Sequence, residues 1–404
     1  MIVAVIGAGA SGLMAALQAA RAGAAVTLFE RNPQVGRKLL VTGSGRCNIT
    51  NASAAASRYA CADPAWLEAL FSHFDVDDLL AFLGEIGVAV YHTSDGWYYP
   101  RSDSAQTVVD AFASALEQSG VVLRPGVQVT GVSRKRAGFS LHLRQDGGEK
   151  DESFERVILC AGGKAYPSLG SRGELFPALE RLGHTVLPKR PALAPLLADL
   201  GALNVLQGVR LDAGARLWQG DICLGSSAGN LIFTQFGING PAVMDLSYLV
   251  SARPEAKLSL ALDLLAFHRP QFEEQLARLR STPTPVRVLL GGFFPPKVGA
   301  LYLRLAGIAA DARLDTVGDP PLARLVALLG DTRLTVKGVR GFEYCQVSAG
   351  GVPVTEVDPL TLESRRVPGL NLAGETLDVV GPCGGYNLQF AFSSGALAGQ
   401  AAAR

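Results

Sequence analysis

The stretch IVAVIGAGASGLMAALQAARAGAAVTLFE, residues 2–30, decides the fold of this chain. Its first five residues are mostly β-branched, which is typical of a buried parallel strand, and the glycine-rich GAGASG of residues 7–12 follows directly. A helical pattern continues to Gly23, and a second strand then ends at Glu30. This order of strand, loop, helix, strand and carboxylate predicts a βαβ unit at the start of an α/β domain.

The three glycines of the loop have separate physical roles in such a unit. Gly7 permits a tight turn, Gly9 allows a pyrophosphate to approach the backbone, and Gly12 allows the helix to pack closely on the strand. The pyrophosphate would lie at the helix N-terminus, where free N–H groups and the positive end of the dipole favour an anion. Glu30 would accept hydrogen bonds from the ribose hydroxyls. A glycine turn without a ligand is the alternative, but the combined context predicts a dinucleotide site.

The segment after Glu30 favours FAD over NAD as the dinucleotide. An NAD-binding domain would normally continue with a helix and a strand, whereas residues 31–51 read RNPQVGRKLLVTGSGRCNITN. This loop is rich in small residues and carries Arg37, Lys38 and Arg46, so it could wrap a second phosphate, a ribityl chain and a ring. A solvated basic surface loop is the alternative explanation of the same residues.

Four segments distributed along the chain carry a family resemblance. They are GRKLLVTGSGRCNITN (36–51), VILCAGGKAYPSLGS (157–171), GNLIFTQFGINGPAVMDLS (229–247) and PGLNLAGETLDVVGPCGGYNLQFAFSSGALAG (368–399). In content and order they closely resemble the YhiN/BaiN-like FAD-dependent oxidoreductases. The resemblance covers nearly the whole chain. It implies bound FAD and an α/β fold, in which a Rossmann-type FAD-binding domain is split between both chain ends and holds an inserted β-barrel-like domain with a helical subdomain.

The domain boundaries follow from this resemblance and from changes along the chain. We expect residues 1–191 to form the first part of the FAD-binding domain, residues 192–344 the inserted substrate-side domain, and residues 345–404 the second part. The insert is β-rich at its start, and about residues 254–331 are richer in helix. The proline-rich run over residues 187–195 marks the first boundary.

Two local elements are expected before the second resembling segment. Residues 104–119 have a helical pattern. Residues 121–132 are expected to form a strand pair that turns at Pro125 and Gly126. Val129 resembles the position at which such flavoproteins run a backbone strand past the adenine.

The glycine loop, the segment after Glu30 and the resemblance together give the candidate cofactor-binding residues. They are Gly7, Gly9, Ala10, Ser11, Gly12, Glu30, Arg31, Arg37, Lys38, Leu39, Thr42, Ser44, Gly45, Arg46, Asn48, Val129, Ala161, Gly162, Gly374, Glu375, Asp378, Gly385, Tyr386, Asn387 and Leu388. The resemblance assigns Glu375 to the ribityl chain or the phosphates, and Gly384 and Gly385 would let the backbone pass against a flat ring. A helix that begins at Tyr386 would direct its positive end at the flavin N1–C2=O edge and favour the reduced, anionic cofactor.

The sequence does not identify a catalytic acid or base. Cys383, Tyr386, Cys47 and Tyr166 lie in the resembling segments and are candidates for proton transfer, although packed side chains are the alternative for each. The five histidines lie outside the main segments, and no Ser/His/Asp arrangement emerges from their positions. The six cysteines contain no CxxC and no metal-ligand spacing, so we expect no metal site.

Composition limits the partners and the compartment. Thirty-seven Lys and Arg residues against 36 Asp and Glu leave a formal net charge of +1, which is not the footprint of a nucleic-acid-binding or membrane-surface protein. No apolar run reaches the roughly 20 residues that span a bilayer. The apolar N-terminus has no preceding basic region, which argues against a signal peptide and for a cytoplasmic protein. We therefore expect a small-molecule substrate, no nucleic acid and no membrane, and the oligomeric state stays open.

The leading functional hypothesis is an FAD-dependent oxidoreductase that passes hydride from NAD(P)H through FAD to a small unsaturated organic substrate. No second GxGxxG follows a strand, so NAD(P)H would visit transiently as a co-substrate. The first alternative is an FAD-dependent amine oxidase that returns electrons to oxygen. The second is a non-catalytic flavoprotein, either a redox sensor or an RNA-associated partner.

Overall fold

The computed structural model describes all 404 residues and consists of helices and strands joined by mostly short loops. The strands are β1 (Ile2–Ile6), β2 (Ala25–Glu30), β3 (Thr50–Asn51), β4 (Ala60–Cys61), β5 (Val90–His92), β6 (Trp97–Pro100), β7 (Val122–Pro125), β8 (Gln128–Arg134), β9 (Phe139–Gln145), β10 (Gly148–Phe154), β11 (Arg156–Leu159), β12 (Leu187–Ala192), β13 (Leu196–Asp199), β14 (Arg210–Gln219), β15 (Ile222–Thr234), β16 (Gly237–Asn239), β17 (Leu258–Asp263), β18 (Thr332–Val339), β19 (Val347–Gly351), β20 (Leu370–Leu372) and β21 (Val379–Val380). The helices are α1 (Ala10–Arg21), α2 (Arg37–Val41), α3 (Pro64–Phe71), α4 (Val76–Glu85), α5 (Ala105–Gln118), α6 (Phe176–Arg181), α7 (Pro241–Met244), α8 (Ser247–Ser251), α9 (Arg269–Leu279), α10 (Val286–Gly291), α11 (Pro296–Ala306), α12 (Asp319–Gly330) and α13 (Tyr386–Ala402).

The chain divides into two compact units. The first unit contains residues 1–190 and 346–404, and the second contains residues 191–345. Each unit has its own hydrophobic core. The chain thus leaves the first unit once and returns to it.

A parallel five-stranded sheet forms the centre of the first unit, in the order β20-β11-β1-β2-β7. Strand β1 pairs in parallel with β2 and with β11, and its residues 3–6 are buried. Its β-branched side chains suit this position because a central parallel strand is covered on both faces. The C-terminal strand β20 pairs with β11, so residues from both ends of the chain share the sheet.

Helix α13 packs on α1 through close contact of the two backbones. A Cβ added at Gly395 would lie 2.3 Å from the carbonyl oxygen of Ser11, and one added at Gly399 would lie 2.3 Å from that of Ala15. Any larger residue at these two positions would push the helices apart, because side chains cannot occupy such short distances. The last helix is therefore fixed beside the helix that follows the glycine loop.

An antiparallel sheet of β8, β9 and β10 also belongs to the first unit, beside the small sheets β3-β6-β5 and β21-β4, and it corrects one expectation. Strands β7 and β8 do not pair with each other: β7 is the edge of the parallel sheet, and β8 belongs to the antiparallel one. Gly126 (φ 74°) turns the chain between them, and its N–H donates to the carbonyl oxygen of Asn32 (3.0 Å). The expected pair over residues 121–132 was wrong because the β7 partner is a strand far away in sequence.

The second unit contains a closed six-stranded barrel, in the order β13-β16-β15-β14-β17-β18. Its interior is filled by side chains such as Leu217, Phe233 and Leu260. Helices α9 to α12 lie between β17 and β18 in sequence and bury apolar side chains in the same core. The expected α/β fold with a barrel-like insert and a helical part is confirmed. None of the helices in the chain has both the length and the apolar composition needed to cross a membrane.

Candidate cofactor site

The three loop glycines are required for different reasons. Gly7 has a left-handed backbone (φ 98°), and a Cβ there would lie 2.5 Å from the carbonyl oxygen of Cys160. A Cβ at Gly12 would lie 1.7 Å from the carbonyl oxygen of Gly7. Gly9 has an ordinary φ of −83°, and a Cβ there would meet nothing within 4 Å. Packing of the chain explains Gly7 and Gly12, whereas the open space at Gly9 is room for a ligand.

The N-terminus of α1 is electrostatically open to an anion. Its N-cap is Gly9, no side chain caps the first turn, and that turn contains no acidic residue. The first N–H groups of a helix have no partner within the helix, and the macrodipole places partial positive charge there. Together with the space at Gly9, this end of α1 has the features that bind a pyrophosphate.

Glu30 links the glycine loop to the segment after β2. It is 8% exposed, and its Oε2 accepts the N–H of Ala8 (2.9 Å). Its Oε1 accepts the backbone N–H of Asn32 (2.8 Å) and the Nδ2 of the same residue (2.7 Å). Arg37 in turn donates to Oδ1 of Asn32 (2.9 Å). Because Oε2 accepts only the N–H of Ala8, it has a further lone pair and could accept a ribose hydroxyl.

Asn32 was missed by the sequence analysis; the turn after β2 brings its backbone N–H and its Nδ2 to the carboxylate of Glu30. Two further candidates of this region, Val129 and Arg31, have different surroundings. The N–H of Val127, at the approach to β8, donates to the carbonyl oxygen of Glu30 (2.9 Å), which brings the buried Val129 near this end of β2. Arg31 instead forms an ion pair with Glu174 (2.7 Å).

A second polar cluster joins the N-terminal and C-terminal segments. Lys38 forms an ion pair with Glu375 (2.5 Å), and both side chains are largely buried. The other oxygen of Glu375 accepts the N–H (2.9 Å) and the hydroxyl (2.8 Å) of Ser348. A Cβ at Gly163 would lie 2.1 Å from that hydroxyl oxygen, so a larger residue there would displace Ser348 from Glu375. The structure thus brings Lys38 and Glu375 together, and Ser348 is a member that the sequence analysis missed.

The loop between α2 and β3 contains four left-handed residues. They are Gly43 (φ 56°), Ser44 (φ 59°), Gly45 (φ 88°) and Cys47 (φ 61°). For a residue other than glycine such a conformation costs about 1–3 kcal/mol, and it persists where surrounding contacts impose it, often at functional sites. Asn48 follows, and its Oδ1 is buried with no hydrogen-bond donor. An unpaired buried acceptor is costly, so a ligand donor at Asn48 would be stabilising.

The remaining candidates of this loop contact the protein itself. Arg46 lies with Cζ 4.3 Å from the ring centre of Tyr99, and its Nη2 donates to the Tyr99 hydroxyl (3.3 Å). The hydroxyl of Thr42 donates to the carbonyl oxygen of Leu39 (2.7 Å), which is buried. The structure therefore directs Arg46 towards the ring and the hydroxyl of Tyr99.

The C-terminal candidates divide between the α1 end and the loop before α13. Gly374 (φ 64°) donates its N–H to Ser394 (2.9 Å), and a Cβ there would lie 2.5 Å from the Ser11 hydroxyl oxygen. Asp378 accepts the N–H of Gly350 (2.6 Å). After β11, Ala161 leads into Gly162, which is left-handed (φ 74°).

Two glycines before α13 meet a flat ring and a backbone carbonyl of the protein. A Cβ at Gly384 would lie 2.7 Å from Nε1 of Trp97, and one at Gly385 would lie 2.4 Å from the carbonyl oxygen of Thr50. Asn51 also donates to the carbonyl oxygen of Gly384 (3.0 Å). The segment around β3 and the loop before α13 therefore converge, with Gly384 against the ring of Trp97 and Gly385 against the backbone of Thr50. Passage of these glycines against the flavin ring stays a prediction.

The start of α13 is held by side chains of the first unit. Asn387 accepts the N–H of Gly381 (2.9 Å) and donates to the carbonyl oxygen of the same residue (2.8 Å). Tyr386 is buried, and its carbonyl oxygen accepts the hydroxyl of Tyr59 (2.8 Å). Leu388 packs against the core of the first unit. No side chain caps this helix at Gly385, so its first N–H groups are open to a ligand.

The thiol candidates differ in reactivity. Cys47 is fully buried, and burial raises the pKa of its thiol to about 12, against a smaller lowering by a hydrogen bond to Thr42. A thiol with this pKa is protonated and unreactive at neutral pH. The second thiol candidate, Cys383, is half-buried. Tyr166, a candidate without a thiol, has a left-handed backbone (φ 54°). The burial and the raised pKa of Cys47 weigh against a relay that uses this residue as a thiolate.

We expect Cys383→Ser to keep FAD and most of its rate of flavin reduction. The loop shape depends on Asn387, Gly384 and Gly385, none of which requires the thiol. The measurements are FAD content, stopped-flow flavin reduction and thiol counts on the oxidised and reduced protein. Loss of turnover with FAD still bound, together with the disappearance of two thiols on oxidation, would establish a Cys47–Cys383 relay instead.

A Ser–His–Glu chain exists in the first unit, contrary to the sequence analysis. His184 contacts Oε2 of Glu356 through Nδ1 (2.7 Å) and the Ser364 hydroxyl through Nε2 (2.8 Å). These residues are 172 and 180 positions apart in sequence, which hid the arrangement. All three are buried, and the Ser364 oxygen already accepts the N–H of Val367 (2.8 Å). A buried, fully hydrogen-bonded serine is not available as a nucleophile, so the chain is structural.

The site residues fit FAD. The open space at Gly9 and the uncapped start of α1 suit the pyrophosphate, and the buried Glu30 suits the adenosine ribose. The unpaired Oδ1 of Asn48 offers an acceptor within the loop that the sequence assigned to the flavin half. Atoms of the protein occupy the space where a side chain at Gly12 would lie, whereas the space beside Gly9 is open.

Comparison with known proteins identifies the family. The HI0933-like protein Rossmann domain matches residues 1–401. The chain is 36% identical to the 3-dehydro-bile acid delta(4,6)-reductase of Clostridium scindens, over 99% of this chain and 98% of the relative. It is 30% identical to the ribosomal RNA dihydrouridine synthase of Escherichia coli, over 96% of this chain and 95% of that protein.

A solved structure supports the same fold. The 3-ketosteroid-delta4-(5alpha)-dehydrogenase of Rhodococcus jostii superposes with a TM-score of 0.52 at 16% identity, over 100% of this chain and 96% of that chain. At this identity the likeness concerns the fold alone. The chain therefore belongs to the HI0933-like Rossmann family, and it is an FAD-dependent oxidoreductase.

Proposed function

We propose that the protein uses FAD to transfer hydride from NAD(P)H to a carbon–carbon double bond of a small organic substrate, at a position conjugated with a carbonyl group. The observation that carries this proposal is the 36% identity, over almost the full length of both chains, to a relative named as a delta(4,6)-reductase of 3-dehydro-bile acids. A double bond next to a carbonyl accepts hydride because the carbonyl oxygen takes up the developing negative charge.

FAD, when bound, supplies the two-electron hydride chemistry, and the chain supplies binding and electrostatics. The first N–H groups of α1 and the space at Gly9 would bind the pyrophosphate, and Glu30 would bind the ribose. The open N-terminus of α13 would stabilise negative charge on the reduced cofactor. Saturation of the double bond also consumes a proton, and Cys47 is a poor donor because burial raises the pKa of its thiol to about 12.

An RNA substrate is a second candidate, supported by the relatives named as ribosomal RNA dihydrouridine synthases. Dihydrouridine is uridine with its ring double bond saturated, and that bond is also conjugated with a carbonyl. Both candidates therefore use the same reaction and differ in the size of the substrate. The near-zero net charge of the chain favours the small molecule, because RNA binding gains affinity from a basic surface.

Anaerobic stopped-flow spectroscopy tests the reaction. We expect NADPH or NADH to reduce the bound flavin, and a steroid with a 3-oxo-Δ4 double bond to reoxidise it faster than the corresponding saturated ketone does. The flavin released by heat should be FAD by chromatography. A uridine-containing ribosomal RNA fragment serves as the second oxidant, and its faster reoxidation would favour the RNA substrate.

Two outcomes contradict the proposal. Reduction of the flavin by amines, with reoxidation by oxygen alone, would identify an amine oxidase. A flavin that neither nicotinamide nor amines reduce would identify a redox sensor. Dithionite reduction is the control, since it shows that the flavin itself remains reducible.

A further inference from the structure

An arginine in the second unit is covered by two aromatic rings. Cζ of Arg340 lies 3.2 Å from the ring centre of Tyr344 and 4.4 Å from that of Phe236. Tyr344 is 49% exposed, and the other two are half-buried. We call these three residues the Arg340 cluster. Stacked aromatic rings hold a guanidinium in one plane and leave its N–H groups directed outwards at the edge.

The fold fixes each member of the cluster. The N–H of Arg340, directly after β18, donates to the carbonyl oxygen of Pro195 (2.9 Å), and a turn closed by Tyr344 N–H and the Gly341 carbonyl oxygen (2.9 Å) returns the tyrosine ring. Phe236 precedes Gly237, where a Cβ would lie 2.3 Å from the carbonyl oxygen of Leu196. Strand β13 pairs with both β16 and β18, so Phe236, directly before β16, and Arg340, directly after β18, lie on either side of β13.

The guanidinium of Arg340 has no carboxylate partner. Five of the other eleven arginines of the second unit form ion pairs with Asp residues at 2.5–3.8 Å, and six do not; the five are Arg216, Arg269, Arg280, Arg313 and Arg333. Arg340 forms no ion pair and no side-chain hydrogen bond, although two rings already remove part of its water. A held, partly desolvated cation with free planar donors is the arrangement that binds carboxylate and phosphate groups with two hydrogen bonds.

We propose that the Arg340 cluster is a binding site for the oxyanion of a ligand, a carboxylate or a phosphate. The choice of test ligands rests on the reduction proposed above, which offers two that carry such a group: a substrate with a carboxylate, and the nicotinamide co-substrate with its phosphates. Phe236 and Tyr344 orient the guanidinium and cover the apolar part of the ligand next to its charged group.

Calorimetric binding to the FAD-loaded protein tests the site without requiring turnover. The ligands are NADPH, NADH, a 3-oxo-Δ4 steroid with a side-chain carboxylate, and the methyl ester of that steroid. We expect Arg340→Met to weaken binding of the oxyanion ligand by roughly 10- to 100-fold, which is the effect of losing a charge-assisted hydrogen-bonding pair. Arg340→Lys should recover only part of this loss, because an ammonium cannot bind both oxygens in one plane.

The pattern of losses identifies the source of the oxyanion. Weaker binding of the carboxylate but not of its ester assigns the site to the substrate. Weaker binding of NADPH alone assigns it to the 2′-phosphate, and weaker binding of both nucleotides assigns it to their pyrophosphate. Arg287→Met, which removes an exposed arginine of α10, is the matched control and should change none of the four affinities.

Unchanged affinity for all four ligands in Arg340→Met, with normal FAD content and melting temperature, would overturn the proposal. If Arg340→Met does not fold, Tyr344→Leu provides the second variant, since it leaves the charge but removes one ring. It should weaken the same ligand by a smaller factor, and no change in Tyr344→Leu would overturn the proposal equally. Failure of the reduction in stopped-flow spectroscopy would leave these affinities measurable, so the two proposals fail separately.

Discussion

Gly9→Val should give a folded protein that does not bind FAD. The chain leaves open space where the new side chain would begin, because a Cβ at Gly9 meets nothing within 4 Å, and φ there is an ordinary −83°. The valine would instead occupy the space that the pyrophosphate needs at the start of α1. We expect a colourless protein with an unchanged circular dichroism spectrum and a melting temperature that added FAD no longer raises.

Two further variants separate loss of FAD from loss of structure. Gly84→Val, in the exposed part of α4, also meets nothing within 4 Å and should remain yellow. Gly12→Ala should instead fold poorly, because its Cβ would lie 1.7 Å from the carbonyl oxygen of Gly7. Stoichiometric FAD in purified Gly9→Val would show that the cofactor does not lie at this loop.

The start of the first unit could be predicted from sequence because its determinants are local. Strand β1, the glycine loop, α1 and the Glu30 end of β2 lie within 30 residues, and each element has its own pattern of apolar residues and glycines. The helix over residues 104–119 was predicted for the same reason and occurs as α5 (Ala105–Gln118). Local patterns indicated a β-rich start of the insert, and the family resemblance added its barrel-like form.

Contacts between distant segments could not be predicted in this way. The residues of the Lys38–Glu375 ion pair are 337 positions apart, and nothing at either position indicates its partner. Nothing in the sequence around Gly395 and Gly399 indicated a partner, yet these two glycines allow α13 to touch the backbone of α1. Pairing of β7 with β2 likewise depends on the folded sheet and not on the turn at Pro125 and Gly126.

In the candidate site, too, local features could be predicted from the sequence and contacts between distant residues could not. Backbone roles of Gly7 and Gly12 follow from the motif, because Gly7 is left-handed (φ 98°) and a Cβ at Gly12 would meet the carbonyl oxygen of Gly7. The role of Gly9 towards a ligand stays a prediction. Side-chain partners such as Asn32 and Ser348 did not emerge, because their role depends on which carboxylate the fold brings near them. Roles of the remaining candidates towards FAD stay predictions.

The buried Ser–His–Glu chain should make the first unit sensitive to acid. Burial alone would raise the pKa of Glu356, but hydrogen bonds from Arg366, Thr185 and His184 outweigh it and lower the pKa from 4.5 to about 2. Burial lowers the pKa of His184 below its usual 6.5, so this histidine is neutral in the folded protein. Nδ1–H of His184 then donates to Glu356, and Nε2 accepts the hydroxyl of Ser364. In both cases the unfolded chain binds the proton more readily, so stability falls as the pH is lowered.

Glu356→Gln should lower the free energy of unfolding of the first unit by about 3 kcal/mol at pH 7, because the lowered pKa of Glu356 represents that much interaction free energy. The Glu356 contribution is complete above pH 4.5 and is lost as the pH falls towards 2, so the difference from the natural protein should narrow to about 2 kcal/mol at pH 3.5. Glu85→Gln, which removes an exposed ion pair with Arg21, is the control and should cost less than about 1 kcal/mol. The measurement is denaturant unfolding of both variants and the natural protein at pH 7 and 3.5. A difference that stays constant between the two pH values would show that Glu356 stabilises the unit through packing and not through its charge.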